Sequence, residues 1–592
     1  MKKKNTLLIA IAAVFMMAAC GKEQTTEKSS EEDQHIEKDA GVSTDNQQNE
    51  EADGSDFGNS QDTGITESEN KLSQMQEIND VAELNVIDDK YRTCYEVFVY
   101  SFCDSDGDGI GDIEGLISKL DYINDGDDST NTDLGFNEIW LMPVCPSTTY
   151  HKYDVTDYMD IDPEYGSLED FDRLIEECHK RGINVIMDMV MNHSSDQHPW
   201  FIEAAEYLRG LEDGEEPDAS VCPYVDYYNF TKESQTGYEK LAGTDWYYEA
   251  RFWSGMPDFN LDNEDVKEEF KDIVAFWTDR GVDGFRMDAV TSYYTDNDTQ
   301  NIETLKWFVD MAREIDPDVY VVAEGWDNIK TFSKYYESGI DSMFNFDYTG
   351  SEGKIAKLAR GKYSALNFAR SLIDIDELFS SYNENYIDAP FYTNHDMARS
   401  AGFYNGPDAM ECTKLAGALN LMMSGNAFVY YGEELGMKGS GKDENYRAPM
   451  QWGENDEGMC DGPDAMDDIE MTYGSYESQA DDPYSIFNYY KEAIRIRNMY
   501  PEIARGKVSI MDGLCDDDIL AIKKTYTDED GNESFVYIIL NTLDDTAEVD
   551  LTGSEGEGCG LGAVLITSEG EVTLDENKLT LPSKAMAVLA TD

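Results

Sequence analysis

Three carboxylic acids in this sequence stand where they could break a glycosidic bond. Asp288, Glu324 and Asp396 each lie at or just beyond the end of a short apolar run typical of a β-strand. Cleavage of such a bond takes two acids of different pKa, because one carboxylate attacks or stabilises the sugar centre while a protonated carboxyl gives its proton to the leaving oxygen. One such acid alone would be interpreted equally well as an ion pair or a helix cap. Three of them at strand ends predict a catalytic site.

The runs that carry these acids belong to a longer alternation of strand-like and helix-like segments. The predicted strands are residues 96–100, 138–142, 184–190, 284–288, 319–324, 343–346, 389–393 and 428–431. The predicted amphipathic helices include residues 168–181, 266–280, 301–315, 410–423 and 484–499. Alternating units of this kind predict an α/β fold with a parallel sheet, and eight of them predict a (β/α)8 TIM barrel. The carboxyl ends of barrel strands carry the active site, so we expect the three acids to face one bowl together with Arg286, His193 and His395.

The rest of the chain divides around this barrel. Residues 194–254 form a long excursion after the third strand, which predicts an inserted domain, because long excursions on a compact scaffold are usually functional. The barrel is expected over 91–193 and 255–501. Strand-like segments with Gly-rich turns predict an all-β sandwich over 502–592.

Five short segments carry a resemblance to a known family. They are DMVMNH at 188–193, MPDFN at 256–260, GFRMDAV at 284–290, AEGW at 323–326 and FYTNHD at 391–396. In order and spacing they resemble the conserved regions of glycoside hydrolase family 13, the α-amylase family, with features between its α-amylase, oligo-1,6-glucosidase and neopullulanase groups. The resemblance implies a retaining double displacement in which Asp288 is the nucleophile, Glu324 the general acid/base and Asp396 the supporting carboxylate.

The same resemblance implies which residues bind the substrate. Tyr153 would stack on the sugar at the cleaved position, and His193 and His395 would hydrogen-bond its hydroxyl groups. Arg286, two residues before the nucleophile and therefore on the same strand face, would keep that carboxylate ionised. Arg399 would bind a sugar or pair with an acid.

A second group of acids predicts a calcium site. Asp104, Asp106, Asp108 and Asp112, with the backbone carbonyl of Ile110 between them, supply the oxygen ligands that Ca²⁺ prefers. The loop is not an EF-hand, because a strand precedes it and position twelve is a glycine. Some family members carry a similar loop after the first barrel strand, and Ca²⁺ is therefore the expected cofactor.

The charge and the amino-terminal segment indicate the setting. The net charge of −78, from 123 acidic against 45 basic residues, argues against nucleic acid as a partner. Residues 1–20 have a basic start, an apolar core and small residues before Cys20, typical of a lipoprotein signal peptide whose cysteine is acylated. Residues 21–90 predict an acidic disordered tether. We therefore expect an extracellular enzyme anchored by lipid to a bacterial membrane or cell surface, its other cysteines mostly buried thiols.

The expected substrate is an α-glucan or maltooligosaccharide, cut at α-1,4 bonds as by an α-amylase. Ala289 after the nucleophile resembles members that cut α-1,4 rather than α-1,6 bonds. An exo-acting α-glucosidase and a cyclomaltodextrinase or neopullulanase-like enzyme remain alternatives. A non-catalytic carbohydrate-binding protein is disfavoured, because binding alone needs no proton donor beside a nucleophile.

Overall fold

The structure is a computed structural model that describes residues 73–80, 83–453 and 458–591. The predicted signal peptide, its Cys20 and most of the predicted tether lie outside the described residues. Among the residues described, no helix is both long and apolar enough to cross a membrane. The nine cysteines in the described ranges are free thiols, all buried except the half-buried Cys515.

Eight parallel strands form the barrel. They are β1 Thr93–Val97, β2 Glu138–Leu141, β3 Asn184–Met189, β4 Gly284–Met287, β5 Tyr320–Ala323, β6 Ser342–Phe344, β7 Ile387–Ala389 and β8 Ala427–Tyr430. Their order in the sheet is β7-β6-β5-β4-β3-β2-β1-β8. Thr93 pairs with Ala427, and a parallel bridge between Phe391 and Phe428 joins β8 to the segment after β7. The predicted (β/α)8 TIM barrel is confirmed.

The inside of the barrel is filled by one apolar cluster. Its buried members are Cys94, Trp140, Ile186, Tyr320, Val322, Phe344, Ala389, Phe391 and Phe428. Because successive strand residues point to opposite sides, the residues two positions further along β1, β3 and β5 also point inward. Those residues are Glu96, Asp188 and Glu324. Strand alternation therefore directs acids into the bowl above this apolar floor.

Helices cover the outside of the barrel. The main ones are Ile113–Ser118, Leu120–Ile123, Leu168–Lys180, Glu264–Thr278, Asp298–Ile315, Ile329–Phe332, Lys354–Ala359, Ala365–Ser380, Ala409–Leu421 and Ile486–Met499. Short helices at Asp443–Tyr446, Tyr476–Gln479 and Pro501–Arg505 follow β8. The five predicted helices are all present, and their bounds differ from the prediction by at most about three residues.

The inserted segment is more regular than its sequence indicated. It contains the helix Pro199–Gly210 and a three-stranded antiparallel sheet of Phe230–Thr231, Tyr238–Lys240 and Tyr247–Glu249. His198 caps the helix by accepting from the Trp200 N–H, and a proline fills the first helical position. Strands of two or three residues are too short to show a period-2 pattern, so the sequence does not reveal this sheet.

The carboxyl-terminal part is all β, as predicted. Lys507–Ile510, Ile519–Thr527, Glu533–Asn541, Gly560–Leu565 and Met586–Ala590 form a five-stranded sheet. Ala547–Asp550, Thr573–Asp575 and Lys578–Leu581 form a three-stranded sheet.

The segment before β1 corrects the extent of the predicted tether. Residues Gln74–Asn79 form a capped helix, and the Asn79 side chain donates to Glu492 and to the Val564 carbonyl, at 3.0 Å each. Further on, Lys90 Nζ donates to the carbonyl of Val319, directly before β5. The helix therefore packs on the helix Ile486–Met499 and the carboxyl-terminal sheet, and Lys90 lies at the amino end of β5, opposite the bowl. Buried hydrogen bonds compensate the polar composition of this segment.

Candidate active site

Arg286 joins the acids of the bowl. Its Nη1 donates to Asp288 Oδ1 at 2.7 Å and to Asp188 Oδ1 at 2.8 Å, and its Nη2 donates to Glu324 Oε2 at 2.9 Å. The guanidinium is completely buried and lies over the Trp140 ring, 5.0 Å from the ring centroid. A buried cation that contacts three carboxyl groups fixes their positions and favours their charged forms.

The backbone after β4 brings Glu324 beside Asp288. Ala289 has a left-handed conformation, with φ 47°, which is uncommon for a residue with a side chain. Its N–H donates to Glu324 Oε2 at 3.2 Å, and the next N–H, of Val290, donates to the Glu324 carbonyl at 3.1 Å. The sharp turn therefore holds the acid of the neighbouring strand against the end of β4.

Glu324 has the protonation behaviour of a general acid. Burial raises its pKa to about 7, helped by the negative charges of Asp288 and Asp396 and opposed by Arg286. Its carboxyl group is therefore substantially protonated at neutral pH and below. A protonated carboxyl next to a carboxylate held by arginine can donate to a leaving oxygen while the second group attacks.

Asp396 stands on the other side of the bowl between two cations. Arg447 Nη2 donates to its Oδ1 at 2.9 Å, and His395 Nε2 lies 3.2 Å from its Oδ2. Burial alone would raise the pKa of Asp396, but His395 and Arg447 together hold it below its usual range. Its side chain remains 30% exposed, so an anionic carboxylate faces the open bowl.

Tyr153 and His395 stack in the wall of the bowl. Their ring centroids are 5.5 Å apart, the Tyr153 hydroxyl donates to Asp188 Oδ2 at 2.9 Å, and it lies 2.8 Å from His395 Nε2. His395 is completely buried, and its Nδ1 lies 2.6 Å from Glu96 Oε1. Both ring nitrogens of His395 contact protein groups, and its role in binding sugar hydroxyls stays a prediction.

His193 lies at the end of β3 and keeps a free ring nitrogen. Its Nε2 is buried without a hydrogen-bond partner among the described residues, and its ring lies 5.1 Å from the ring of Phe252. Burial lowers the pKa of His193, so its ring is neutral at neutral pH. An unpaired buried nitrogen of this kind is suited to a substrate hydroxyl.

Arg399 lies outside the bowl, contrary to the expectation that it binds a sugar or pairs with an acid. It is completely buried, its Nη1 donates to the Tyr431 carbonyl at 2.6 Å, and its guanidinium packs over the rings of Tyr430 and Tyr431. No carboxylate of the described chain lies within ion-pair distance of it. Arg447 supplies the arginine contact to Asp396 instead.

The loop after β1 brings three of the predicted calcium ligands together. Oxygens of Asp104, Asp106 and Asp108 lie within 4.8 Å of one another. Asp112 has a further role, because its Oδ1 accepts from the Gly115 N–H at 2.7 Å and caps the helix that follows. Ile110 donates its own N–H to Asp108 at 2.8 Å. The clustered carboxylate oxygens fit a hard divalent cation.

Sequence reasoning gave no role to Glu96, Asp188 and Arg447. Glu96 and Asp188 interrupt otherwise apolar strands at inward-facing positions, and an acid inside a buried strand is a signal that could have found them. Arg447 belongs to a loop about 50 residues after Asp396, and no periodicity in the sequence connects the two positions.

The barrel and its carboxyl groups define a glycoside hydrolase. A model of the α-amylase catalytic domain matches residues 96–506. The chain therefore belongs to the α-amylase family, glycoside hydrolase family 13, and the family resemblance found in the sequence is confirmed.

Relatives extend over most of the chain. Alpha-amylase 3 of Dictyoglomus thermophilum is 39% identical over 476 residues, covering 76% of this chain and 85% of that protein. An oligo-1,6-glucosidase of Heyndrickxia coagulans is 28% identical, covering 71% and 87%. Among solved structures, Eubacterium rectale Amy13B has a TM-score of 0.84 at 49% identity, covering 88% of this chain and 99% of that one. The α-amylase from H. orenii has a TM-score of 0.72 at 35% identity, covering 85% and 100%.

The two central acids should respond differently to substitution. We expect Asp288→Asn and Glu324→Gln each to lower kcat/KM on maltooligosaccharides by about a thousandfold or more. An aryl maltoside with a good leaving group should restore much of kcat/KM for Glu324→Gln and none of it for Asp288→Asn, because kcat/KM reports the first step, in which such a leaving group needs no proton. Asp388→Asn, a half-buried acid bonded to Asn345, is the control for folding. Equal losses on both substrates would contradict the separate roles.

The pH dependence should report Glu324. The acid must carry its proton in the free enzyme, so kcat/KM should be retained below its pKa and fall as pH rises through about 7. Initial rates on maltotetraose from pH 5 to 9 measure this limb. If kcat/KM already falls as pH rises through about 5, or stays constant up to pH 9, Glu324 is not the proton donor.

Proposed function

We propose that the enzyme is an α-amylase that hydrolyses α-1,4 bonds of starch or maltooligosaccharides with retention of configuration. The observation that carries the proposal is a raised-pKa carboxyl, Glu324, and a carboxylate, Asp288, joined by one buried guanidinium. Asp288 attacks the anomeric carbon while Glu324 donates its proton to the leaving oxygen. Glu324, now ionised, then takes a proton from the water that releases the sugar.

Exposed aromatic side chains favour a chain substrate over a single sugar. Phe252 and Trp253 are 46% and 43% exposed, and Phe252 contacts His193 at the end of β3. Trp326 is 43% exposed and packs against Phe346 beyond β6. One aromatic surface follows β3 and the other follows β5, with β4 between these strands, so each offers an apolar face on which a sugar unit of a chain can stack.

The names of relatives support an α-glucan as substrate. They include enzymes named for α-1,6 bonds as well as α-amylases, so the bond that is cut must be tested. Two proteins named α-amylase are 39% and 35% identical, whereas others named α-amylase and oligo-1,6-glucosidase are 27% and 28% identical. An exo-acting α-glucosidase or a cyclomaltodextrinase or neopullulanase-like enzyme is the second candidate, and a non-catalytic carbohydrate-binding role is disfavoured by the intact acid pair.

A product profile tests the activity. On starch, pullulan, maltotriose and isomaltose, we expect a mixture of maltooligosaccharides from starch early in the reaction, α-anomeric by NMR, and little cleavage of isomaltose. Trp326→Ala should raise KM for starch about tenfold and KM for maltotriose less, because it removes one stacking surface that a longer chain can reach. Leu543→Ala, an exposed apolar residue of the carboxyl-terminal part, is the control. Glucose as the only early product would favour the exo-acting alternative, and a β-anomer would contradict the double displacement.

We further propose that the loop of Asp104, Asp106 and Asp108 binds Ca²⁺, with the Ile110 carbonyl and Asp112 as further ligands. The cation would neutralise the repulsion among the clustered carboxylates and stabilise the loop.

A chelator should lower the melting temperature of the native enzyme by several degrees, and excess Ca²⁺ should restore it, because a ligand that binds only the folded state stabilises it. Asp108→Asn should weaken this response. Asp127→Asn, in another acidic loop, should leave it intact. An unchanged melting temperature after chelation would contradict the site.

We also propose that the protein is anchored outside the cell through a lipid on Cys20. The support is the signal-like sequence of residues 1–20. Cells fed labelled palmitate should yield a labelled protein in the membrane fraction, whereas Cys20→Ser should be unlabelled and leave that fraction. An unlabelled native protein in the culture fluid would contradict the anchor.

A further inference from the structure

His395 is enclosed by oxygen atoms of three residues. Its Nδ1 lies 2.6 Å from Glu96 Oε1, and its backbone N–H donates to the same oxygen at 3.4 Å. Its Nε2 lies 2.8 Å from the Tyr153 hydroxyl and 3.2 Å from Asp396 Oδ2. Both ring nitrogens therefore face acceptor oxygens within the protein.

Counting hydrogens decides the protonation state of this ring. A neutral imidazole donates through one nitrogen only, so an N–H directed at Glu96 would leave a lone pair facing the Asp396 carboxylate. The Tyr153 hydroxyl has one hydrogen, which it donates to Asp188 Oδ2 at 2.9 Å. It cannot donate to His395 as well. Each contact is satisfied at once only when both ring nitrogens carry hydrogen.

We propose that Glu96 is a positioning residue that keeps His395 in the imidazolium form, and that this buried cation sets the orientation of Asp396 and Tyr153 for the sugar. Glu96 points inward from β1, is 1% exposed, and has its hydrogen bonds with His395. It acts on the reaction through His395.

Glu96 differs from the other acids near this ring because its ion pair is with His395. Asp396 is shared with Arg447, and Asp188 is held by Arg286, so each of these acids already has an arginine partner. Glu324, across the bowl, contacts Arg286. Burial lowers the pKa of His395, but Asp396 and Glu96 raise it to about 10. The imidazolium is thus retained throughout the range in which Glu324 titrates.

Loss of the Glu96 charge has a defined consequence. With a neutral amide at position 96, the pKa of His395 falls because the ring keeps only one of its two anionic partners, and where the ring deprotonates the Tyr153 hydroxyl turns from Asp188 to donate to Nε2. Asp396 loses one of its two cationic partners in the same step. Substrate binding should therefore weaken with rising pH in the variant and not in the native enzyme.

Kinetics of Glu96→Gln test the proposal. We expect its kcat/KM relative to native to fall about tenfold or more at pH 7.5, mainly through KM, and to return to within about threefold of native at pH 5.5. Glu96→Asp keeps the charge, so its ratio to native should not vary with pH even if activity is lower. Glu138→Gln removes a buried acid at the amino end of β2 and should give a ratio near one at every pH. A ratio for Glu96→Gln that is constant with pH would overturn the proposal.

Nitrogen NMR gives a readout that needs no substrate and no folded variant. The chain has six histidines, so the His395 signals can be assigned. In the native enzyme at pH 8, both ring nitrogens of His395 should be protonated, and a neutral ring would overturn the proposal. The kinetic arm rests on the proposed glucan hydrolysis whereas the NMR arm does not, so failure of the glucan assignment and failure of the positioning role are distinguishable.

Discussion

One buried guanidinium determines how this active site is built. Arg286 contacts Asp188, Asp288 and Glu324, and its own side chain has no access to water. Burying a cation and three acids away from water is costly unless they are paired. The ends of β3, β4 and β5 must therefore lie at the same level of the barrel, so that one guanidinium can reach all three carboxyl groups. The left-handed turn at Ala289, which would be strained elsewhere, is retained because it directs an N–H at Glu324.

The pKa values of the acids on the two sides of the bowl are shifted in opposite directions. Around Glu324, burial and neighbouring negative charge keep a proton on the acid, whereas around Asp396 two cations keep the proton off. The same fold therefore holds a donor and an anion within one cavity. Glu96 links this arrangement to the first strand, because it pairs with the histidine that lies between Asp396 and Tyr153.

The sequence predicted those parts of the fold and site that depend on local pattern. Strand alternation and the apolar runs located the barrel and placed Asp288 and Glu324 at its carboxyl edge, because both signals lie within a few residues. The arginine partner of Asp396 could not be predicted, since which loop arginine reaches it depends on how a long segment folds back. The contact between His395 and Glu96 could not be predicted either, because the two residues are about 300 positions apart in sequence.

The position of the chain before β1 affects which face of the enzyme is open to a long substrate. Helix Gln74–Asn79 packs on Glu492 and Val564, and Lys90 reaches the amino end of β5, while the acids open at the carboxyl ends of the strands. The described chain before β1 and the mouth of the bowl therefore belong to different faces of the barrel. A long substrate that enters the bowl meets the loops after the strands and not this segment.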